Sequence, residues 1–449
     1  ISFCGSEVRG SKYAQQFGPT GRYLFRLSCW GDPGDEFYFK LYDANLDEEL
    51  TCTCDVTLSY SSNPYGGIAS PYVLNFTNSV TFSLDISGYG NSQGGYYLIA
   101  TPINNINPDN IEGMTSGDFD LYYFDQREAD EWRNYKDTHF NLESGKGYLY
   151  AHKTDTTLNF TGTPYDGDGQ VSLLKKEGVP FTGWNLVGNP FVQTATIGDK
   201  SFYVMKDDGT EIIPSVTKSI AAMQGIFVIA SEDGETLTFS TEGNTEQRPM
   251  LVINVQQGRH EPIDRAIVRF EGNSNLPKFM LNPNSTKVYL PQDGADYAVT
   301  SHSTEHSSPV SFKARENGNY TLSVDVVNLD LDYLHLVDSK TGADINLLQT
   351  PCYTFEASIT DEAERFRLVY ATTTGIDETD KPFAFYVDGE IRLIETCHGA
   401  SLQIADINGH IVLSTNAARN VSTSGMAPGV YMLSLINGKD VKVQKVVVE

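Results

Sequence analysis

Basic side chains are scarce in this chain of 449 residues: 32 Lys and Arg stand against 58 Asp and Glu, a net charge of −26. Such a surface repels phosphate, so neither nucleic acid nor an anionic membrane leaflet is an expected partner. Long apolar runs are missing as well. No stretch approaches the roughly 18 residues that cross a bilayer as a helix, so membrane insertion is not expected. Catalytic signatures are absent: the eight His never fall at HExxH spacing, and there is no GxSxG elbow, phosphate loop or dinucleotide fingerprint. An enzyme is therefore not expected, and no cofactor is implied. None of the six cysteines forms a CxxC, which argues against a structural zinc. Helical periodicity, finally, is hard to find; the best helix candidate, "DQREADEW" at 125 to 132, is too short and polar to stand alone.

What is present is alternation. With 25 Tyr and 23 Phe, segments such as "YFKLYDA", "VTFSLDI", "GYYLIATP", "GKGYLYAH" and "GIFVIAS" read as short strands bounded by Gly, Pro, Asn or Asp. The expected class is all-β: several β-sandwich or barrel-like modules in tandem, about three domains' worth of chain at roughly 150 residues each.

An internal repeat organises the middle. "GYYLIATPI" at 95 to 103 and "GWNLVGNPF" at 183 to 191 share Gly, aromatic, any, Leu, aliphatic, small, Thr or Asn, Pro, apolar. "GKGYLYAHKTDTTLNFTG" at 145 to 162 parallels "MQGIFVIASEDGETLTFSTEG" at 223 to 243. A tandem duplication over about 95–162 and 183–243 follows, with each strand stopping or bulging at its donorless Pro. The expected modules are 1–90, truncated at its start, then 91–246 with the duplication, 247–372 as a sandwich, the acidic linker 373–382, and a small Ig-like sandwich at 383–449.

The last module carries "LQIADINGHIV", "GMAPGVYMLSL" and "KVQKVVVE", and there it resembles the C-terminal sorting domain of type IX secretion systems. Gly429, Tyr431 and Lys445 match that family's characteristic positions. The resemblance implies an export address read by the secretion machinery, a location outside or on the outer surface of a Gram-negative bacterium, and a module commonly removed on export, so that its presence marks an unprocessed form. "ENGNYTLSV" and "RFRLVY" are similar to the sandwich that often precedes this signal. "GDEFYFKLYDA" and "GWNLVGNPF" are similar to modules of secreted, adhesin-like surface proteins of Bacteroidota-type bacteria. These families carry no assigned reaction.

Few residues stand out as sites. Trp132, amid polar neighbours in "READEWRNYKDTHF", and Tyr135 are the candidates for an exposed aromatic platform on which a sugar's apolar face stacks. Asp166 with Asp168, and Asp118 with Asp120 and Asp125, lie close in sequence, but neither set completes the six or more oxygens calcium needs, so solvated turns are expected and no metal. Cys4, Cys29, Cys52 and Cys54 are read either as one or two bridges or as small buried residues, and Cys352 and Cys397 as buried. The function expected is a non-catalytic adhesin or binding protein for host matrix or glycans. The alternatives are the non-catalytic C-terminal modules of a larger secreted hydrolase, or a structural spacer without ligand.

Overall fold

The computed structural model describes residues 1–17, 22–43, 48–49, 52–54, 57–66, 70–78, 80–90, 94–258, 262–272, 274–282, 284–301, 307–372, 382–394, 400–417, 419–438 and 440–448. The linker expected at 373–382 therefore falls almost wholly outside them, as does Cys397. Strands dominate, and the one α-helix among the described residues is the single turn Tyr135–Thr138, capped by the Asn134 side chain. The class is all-β, as the alternation requires. Contacts divide the chain into two units, one holding 1–198, 204–210 and 219–244, the other 199–203, 211–218 and 245–449.

In the first unit, a small sheet joins Glu7–Gly10, Ser2–Cys4, Glu36–Phe39 and Leu58–Ser59. It is held by Phe37 and Phe39, both buried, and by Phe3 stacked on Tyr38 at 5.4 Å.

The duplication follows. The first copy has strands β1 (Val80–Ile86), β2 (Tyr96–Ala100), β3 (Phe119–Phe124), β4 (Gly147–His152) and β5 (Thr156–Gly162). The second has β6 (Gln170–Ser172), β7 (Trp184–Gly188), β8 (Tyr203–Met205), β9 (Gly225–Ile229) and β10 (Thr236–Thr238). The strand orders coincide: β2-β4-β3 in the first, β7-β9-β8 in the second, while the flanking strands pair as β1-β5 and β6-β10. Each copy thus starts one strand before its shared motif. Strands β2 and β7 stop just before the Thr-Pro and Asn-Pro steps, where the next residue has no N–H to give.

The copies interlock reciprocally. Ile99 of the first bridges Gln224 of the second, and Val187 of the second bridges Lys146 of the first; these are equivalent positions in the shared pattern. The Ala100 N–H donates to the Met223 carbonyl at 2.8 Å, and the Gly188 N–H to the Gly145 carbonyl at 3.0 Å. The small residue of the motif is explained at this contact. A Cβ on Gly188 would lie 2.3 Å from the Ala100 Cβ and 2.6 Å from the Lys146 carbonyl oxygen, so the backbones meet only because both copies keep the position small.

The second unit contains a sandwich built on one long strand path. Its strands are β11 (Met250–Gln256), β12 (Asp264–Arg269), β13 (Lys287–Gln292), β14 (Ala295–Ser301), β15 (Ser307–Lys313), β16 (Gly318–Val327), β17 (Leu331–Asp338), β18 (Ala343–Asn346), β19 (Cys352–Ala357) and β20 (Glu364–Thr372). They pair in the order β18-β17-β20-β15-β13-β14-β12-β11-β16-β19, and Leu276–Pro277 adds to β14. Residues from both ends of the path share one core: Leu336, Phe366 and Tyr370 meet Leu251, Leu322 and Phe355. Arg365 fastens that closure. Its Nε and Nη2 donate to the Asp338 carboxylate at 2.9 and 2.8 Å, its Nη1 donates to the Glu356 carbonyl at 2.8 Å, and its guanidinium lies over Phe355 and Phe366. Burial alone would raise the Asp338 pKa; the bonds from Arg365, Thr341, Tyr353 and the Lys340 N–H outweigh it and bring it down to about 2.

The terminal module also lies in this unit. One sheet joins β21 (Ala384–Val387), β22 (Glu390–Leu393) and a strand β25 (Asn420–Ser422); the other runs β24-β23-β26-β27, with β23 at Ser401–Asp406, β24 at Ile411–Asn416, β26 at Gly429–Asn437 and β27 at Asp440–Val448. Between the two sheets sit Ile391, Leu393, Leu402, Ile404, Leu433, Leu435, Val446 and Val448.

Candidate functional site

The three motif residues of the terminal module fall on one hairpin, β26 and β27, where Gly429 pairs with Val448, Tyr431 with Val446 and Met432 with Lys445. Period-two alternation sends them to different faces. Tyr431 points inward at 7% exposure, and its hydroxyl donates to the Ala427 carbonyl at 2.7 Å, tying the strand to the Ala427–Pro428 turn that starts it. Lys445 is exposed on the outer face, between Val443 and Val447, which are 58% and 52% exposed. Gly429 needs no special backbone: a Cβ there meets nothing nearer than 3.9 Å. Its smallness is not demanded by the module's own packing.

Two further side chains hold the module together. Gln444 acts as a piece of strand: its Oε1 accepts from the Phe383 and Ala384 N–H groups at 2.7 and 2.9 Å, and its Nε2 donates to the Ala384 carbonyl, joining β27 to β21 across the core. Asp406 closes the β23–β24 turn, its Oδ1 accepting from the Asn408 and His410 N–H groups at 2.8 and 3.0 Å.

The aromatic platform expected at Trp132 and Tyr135 is not there. Tyr135 is 4% exposed and packs tilted against Phe119 and edge-on against Phe140, because it opens the helical turn that folds onto the first copy's core. Trp132 is half-buried, edge-on to Phe124 at 5.4 Å and Phe227 at 6.0 Å. Its polar sequence neighbours point away from a ring that the sheet itself covers. The exposed tryptophan is Trp30, at 62%. The acids read as turns are engaged locally: Asp168 accepts from the Gln170 N–H at 3.1 Å, Asp125 pairs with Arg127, Asp120 with Lys136 and Asp118 with Lys153. Among the described residues no group of three or more His, Cys, Asp or Glu is placed to hold a metal. Cys4, Cys29 and Cys52 carry free, half-buried thiols, Cys29 lying 3.0 Å from the Ser2 hydroxyl. Cys352, expected to be buried, is exposed at the start of β19.

A concavity that the sequence did not announce lies on the sandwich. It has a volume of about 460 Å³ and is lined from four separated segments: Pro291–Gly294, Pro309–Ser311, Val337 with Ser339, and Glu364–Arg367. Val310 and Phe366 at its base belong to the buried core of the sandwich, and its accessible apolar surface comes from Pro291, Pro309 and Val337. Its rim owes its shape to an Asp-Gly turn: Gln292 pairs with Ala295, and both Asp293 and Gly294 have positive φ, the geometry of a two-residue hairpin loop. Gln292 carries a buried Oε1 with no hydrogen-bond partner. Burial and then the charge of Glu364 push the nearby Asp296 carboxyl up. Arg367 lines the same cleft and forms an ion pair with Asp388 of the terminal module. The chain thus offers hydroxyl, amide and carboxylate groups above apolar walls, a set suited to a polyhydroxylated ligand with one apolar face.

Residues 387–449 match the model of the secretion system C-terminal sorting domain. No curated protein matches the chain. Among solved structures, the BSP domain of a biofilm associated protein aligns over 83% of this chain and 63% of its own, at 10% identity and a TM-score of 0.17. The chain spans less than two thirds of that protein, and a likeness at this score carries no argument. The sorting domain does: a type IX export address implies engagement with the secretion machinery and delivery to the cell surface or the extracellular space. Among the described residues no helix is long and apolar enough to cross a membrane.

Proposed function

We propose that the chain is a non-catalytic, surface-displayed or secreted binding protein of the adhesin kind, and that its ligand is a glycan taken in the sandwich cleft. The terminal module supports the export half of this reading. One arrangement carries the ligand half: Asp293, Ser339 and Glu364, all exposed, stand around one cleft although they come from separate segments. Carboxylates and hydroxyls there accept and donate to sugar hydroxyls, while Pro291 and Pro309 offer flat apolar contact. A hydrogen bond to a charged group contributes about 1.5–3 kcal/mol.

Glycan-array screening of the intact chain, followed by calorimetric titration of the best hit, tests the proposal. Glu364 is exposed, so Glu364→Gln leaves the core intact. Its affinity should fall roughly ten- to a hundredfold. Unchanged affinity in Glu364→Gln and Ser339→Ala removes the cleft as the site. No binding to any glycan removes the ligand class and favours a spacer.

A further inference from the structure

The terminal module's small sheet has an outer face that is covered. On β21, Ala384 and Tyr386 point into the module's own core, so Phe385 and Val387 point away from it, yet they are only 5% and 7% exposed. A strand facing water on that side would carry polar residues there. Instead these two pack with Tyr333, Val369 and Ala371 of the sandwich strands β17 and β20. The rings of Tyr333 and Phe385 meet edge-on with centroids 5.0 Å apart.

Charged groups line up across the same contact. From the module come Arg392 and Arg419; the sandwich presents His335 and Asp344, joined to each other at 2.6 Å. Arg392 Nη1 stands 3.9 Å from the Asp344 carboxylate, Arg419 Nη1 lies 3.4 Å from His335 Nε2, and Arg367 pairs with Asp388 in the opposite sense. The fit is incomplete. Arg392 Nε is buried without a hydrogen-bond partner, while its guanidinium sits against the buried Tyr333 hydroxyl. A face held by apolar contact and opposite charge, with its polar atoms imperfectly matched, resembles a separable interface more than the continuous core of one domain.

We infer that the sandwich is a docking partner for the sorting module and keeps it bound without help from the connecting chain, so that a cut between residue 372 and residue 382 does not by itself release the module. The sandwich and the module already belong to one contact unit. The occupant is this chain's own segment 383–449, and the face it covers becomes exposed only after the module is stripped away.

The full chain carrying a seven-residue protease site in place of residues 374–380 tests this. After cutting, the two fragments should co-elute in size-exclusion chromatography at about 10 µM and appear as one complex by native mass spectrometry, as expected for micromolar or tighter affinity. Phe385→Asp on the module, and separately Ala371→Asp on the sandwich, should each weaken the complex at least about tenfold and release the fragments. Circular dichroism of the released fragments distinguishes loss of contact from loss of fold, since β signal is retained in the first case. Separation of the unmutated fragments on cutting overturns the inference. So does co-elution that neither substitution disturbs.

Discussion

In the first copy of the duplication Thr101 and Pro102 follow strand β2, and in the second Asn189 and Pro190 follow β7; the Thr101 and Asn189 side chains are fully buried, and they do unequal shares of one task. The Thr101 hydroxyl accepts from the Ile103 N–H at 3.1 Å and turns the chain past its proline. Asn189 does the same for the Phe191 N–H at 3.0 Å, and its Nδ2 also donates to the carbonyls of Gln193, Ile220 and Ala221. The difference follows from what surrounds each strand end. In the first copy a two-residue ladder, Asn105–Ile106 with Leu142–Glu143, satisfies the backbone beyond the turn. In the second that place is taken by a lone bridge between Ala195 and Ile220, and the asparagine amide supplies the missing donors. One ladder pattern thus persists with two local solutions to the same polar accounting.

Breaking each solution should show the inequality. Asn189→Ala leaves the Gln193 carbonyl and the Phe191 N–H without their partners and weakens two more acceptors, a loss of about 3 kcal/mol or more at about 1 kcal/mol per bond with the penalty of burial added. Thr101→Ala removes one such bond and a long 3.5 Å one from its hydroxyl to the Ile103 carbonyl, together about 1 kcal/mol. Hydrogen exchange of peptides from β7–β9 and from β2–β4 reads each copy separately, which a global melt of a multi-module chain does not. Equal losses in the two variants would break the comparison.

Much of this organisation was legible in the chain. Alternation gave the all-β class, whereas only the structure shows that the small position of the shared motif is where Ala100 and Gly188 bring the copies together. The reciprocal bridges were not legible, because periodicity within a strand carries no information about which loop it meets. Tyr135 misled for a related reason: polar neighbours describe the loop around a residue, whereas burial is set by the sheet it turns towards. Glu364, Ser339, Asp293 and Pro309 come from four distant segments, and only the closure fastened by Arg365 and Asp338 gathers them into a cleft. Phe385, Val387 and Arg392 did leave a trace. They make β21 apolar on both faces and put a charge in the middle of β22, but a strand buried on both sides does not name what covers it.

A second inequality between the copies lies before β4 and β9. The chain passes through the left-handed region at Gly145, with φ of 84°, and at the equivalent Met223, with φ of 59°. Glycine adopts this freely, whereas a side chain there costs about 1–2 kcal/mol. Met223 offsets that strain by packing against the core of the first copy. Gly145 has no such room, since a Cβ would come within 2.9 Å of Val171 Cγ2. Gly145→Ala should therefore destabilise its copy by about 1–2 kcal/mol, while Met223→Gly exchanges strain relief for lost packing and stays within about 1 kcal/mol of the parent. Chemical denaturation with exchange readout checks both, and a Gly145→Ala variant as stable as the parent would show that the turn adjusts.

The smallest effect concerns two acids on which the copies agree. Asp125 follows β3 and Asp208 follows β8, and each accepts from the N–H two residues on, Arg127 or Thr210, at 3.0 Å. The side-chain bond from Arg127 holds the Asp125 carboxyl below the ordinary range. Burial acts to raise the Asp208 pKa, and the bonds from Thr210 and Lys206 outweigh it, so this group is lowered too. A carboxyl whose folded pKa is depressed adds stability above its unfolded value of about 4, and that stability is lost as pH falls through the folded value. Both turns should loosen together between neutral pH and the acid side of pH 4, seen as faster exchange of the Arg127 and Thr210 amides after correction for intrinsic rates. Asp125→Asn and Asp208→Asn keep the accepting oxygen and remove the charge, so each should flatten the acid response of its own turn and leave the other's in place. A response confined to one copy in the parent would mean that the shared geometry does not carry a shared electrostatic role.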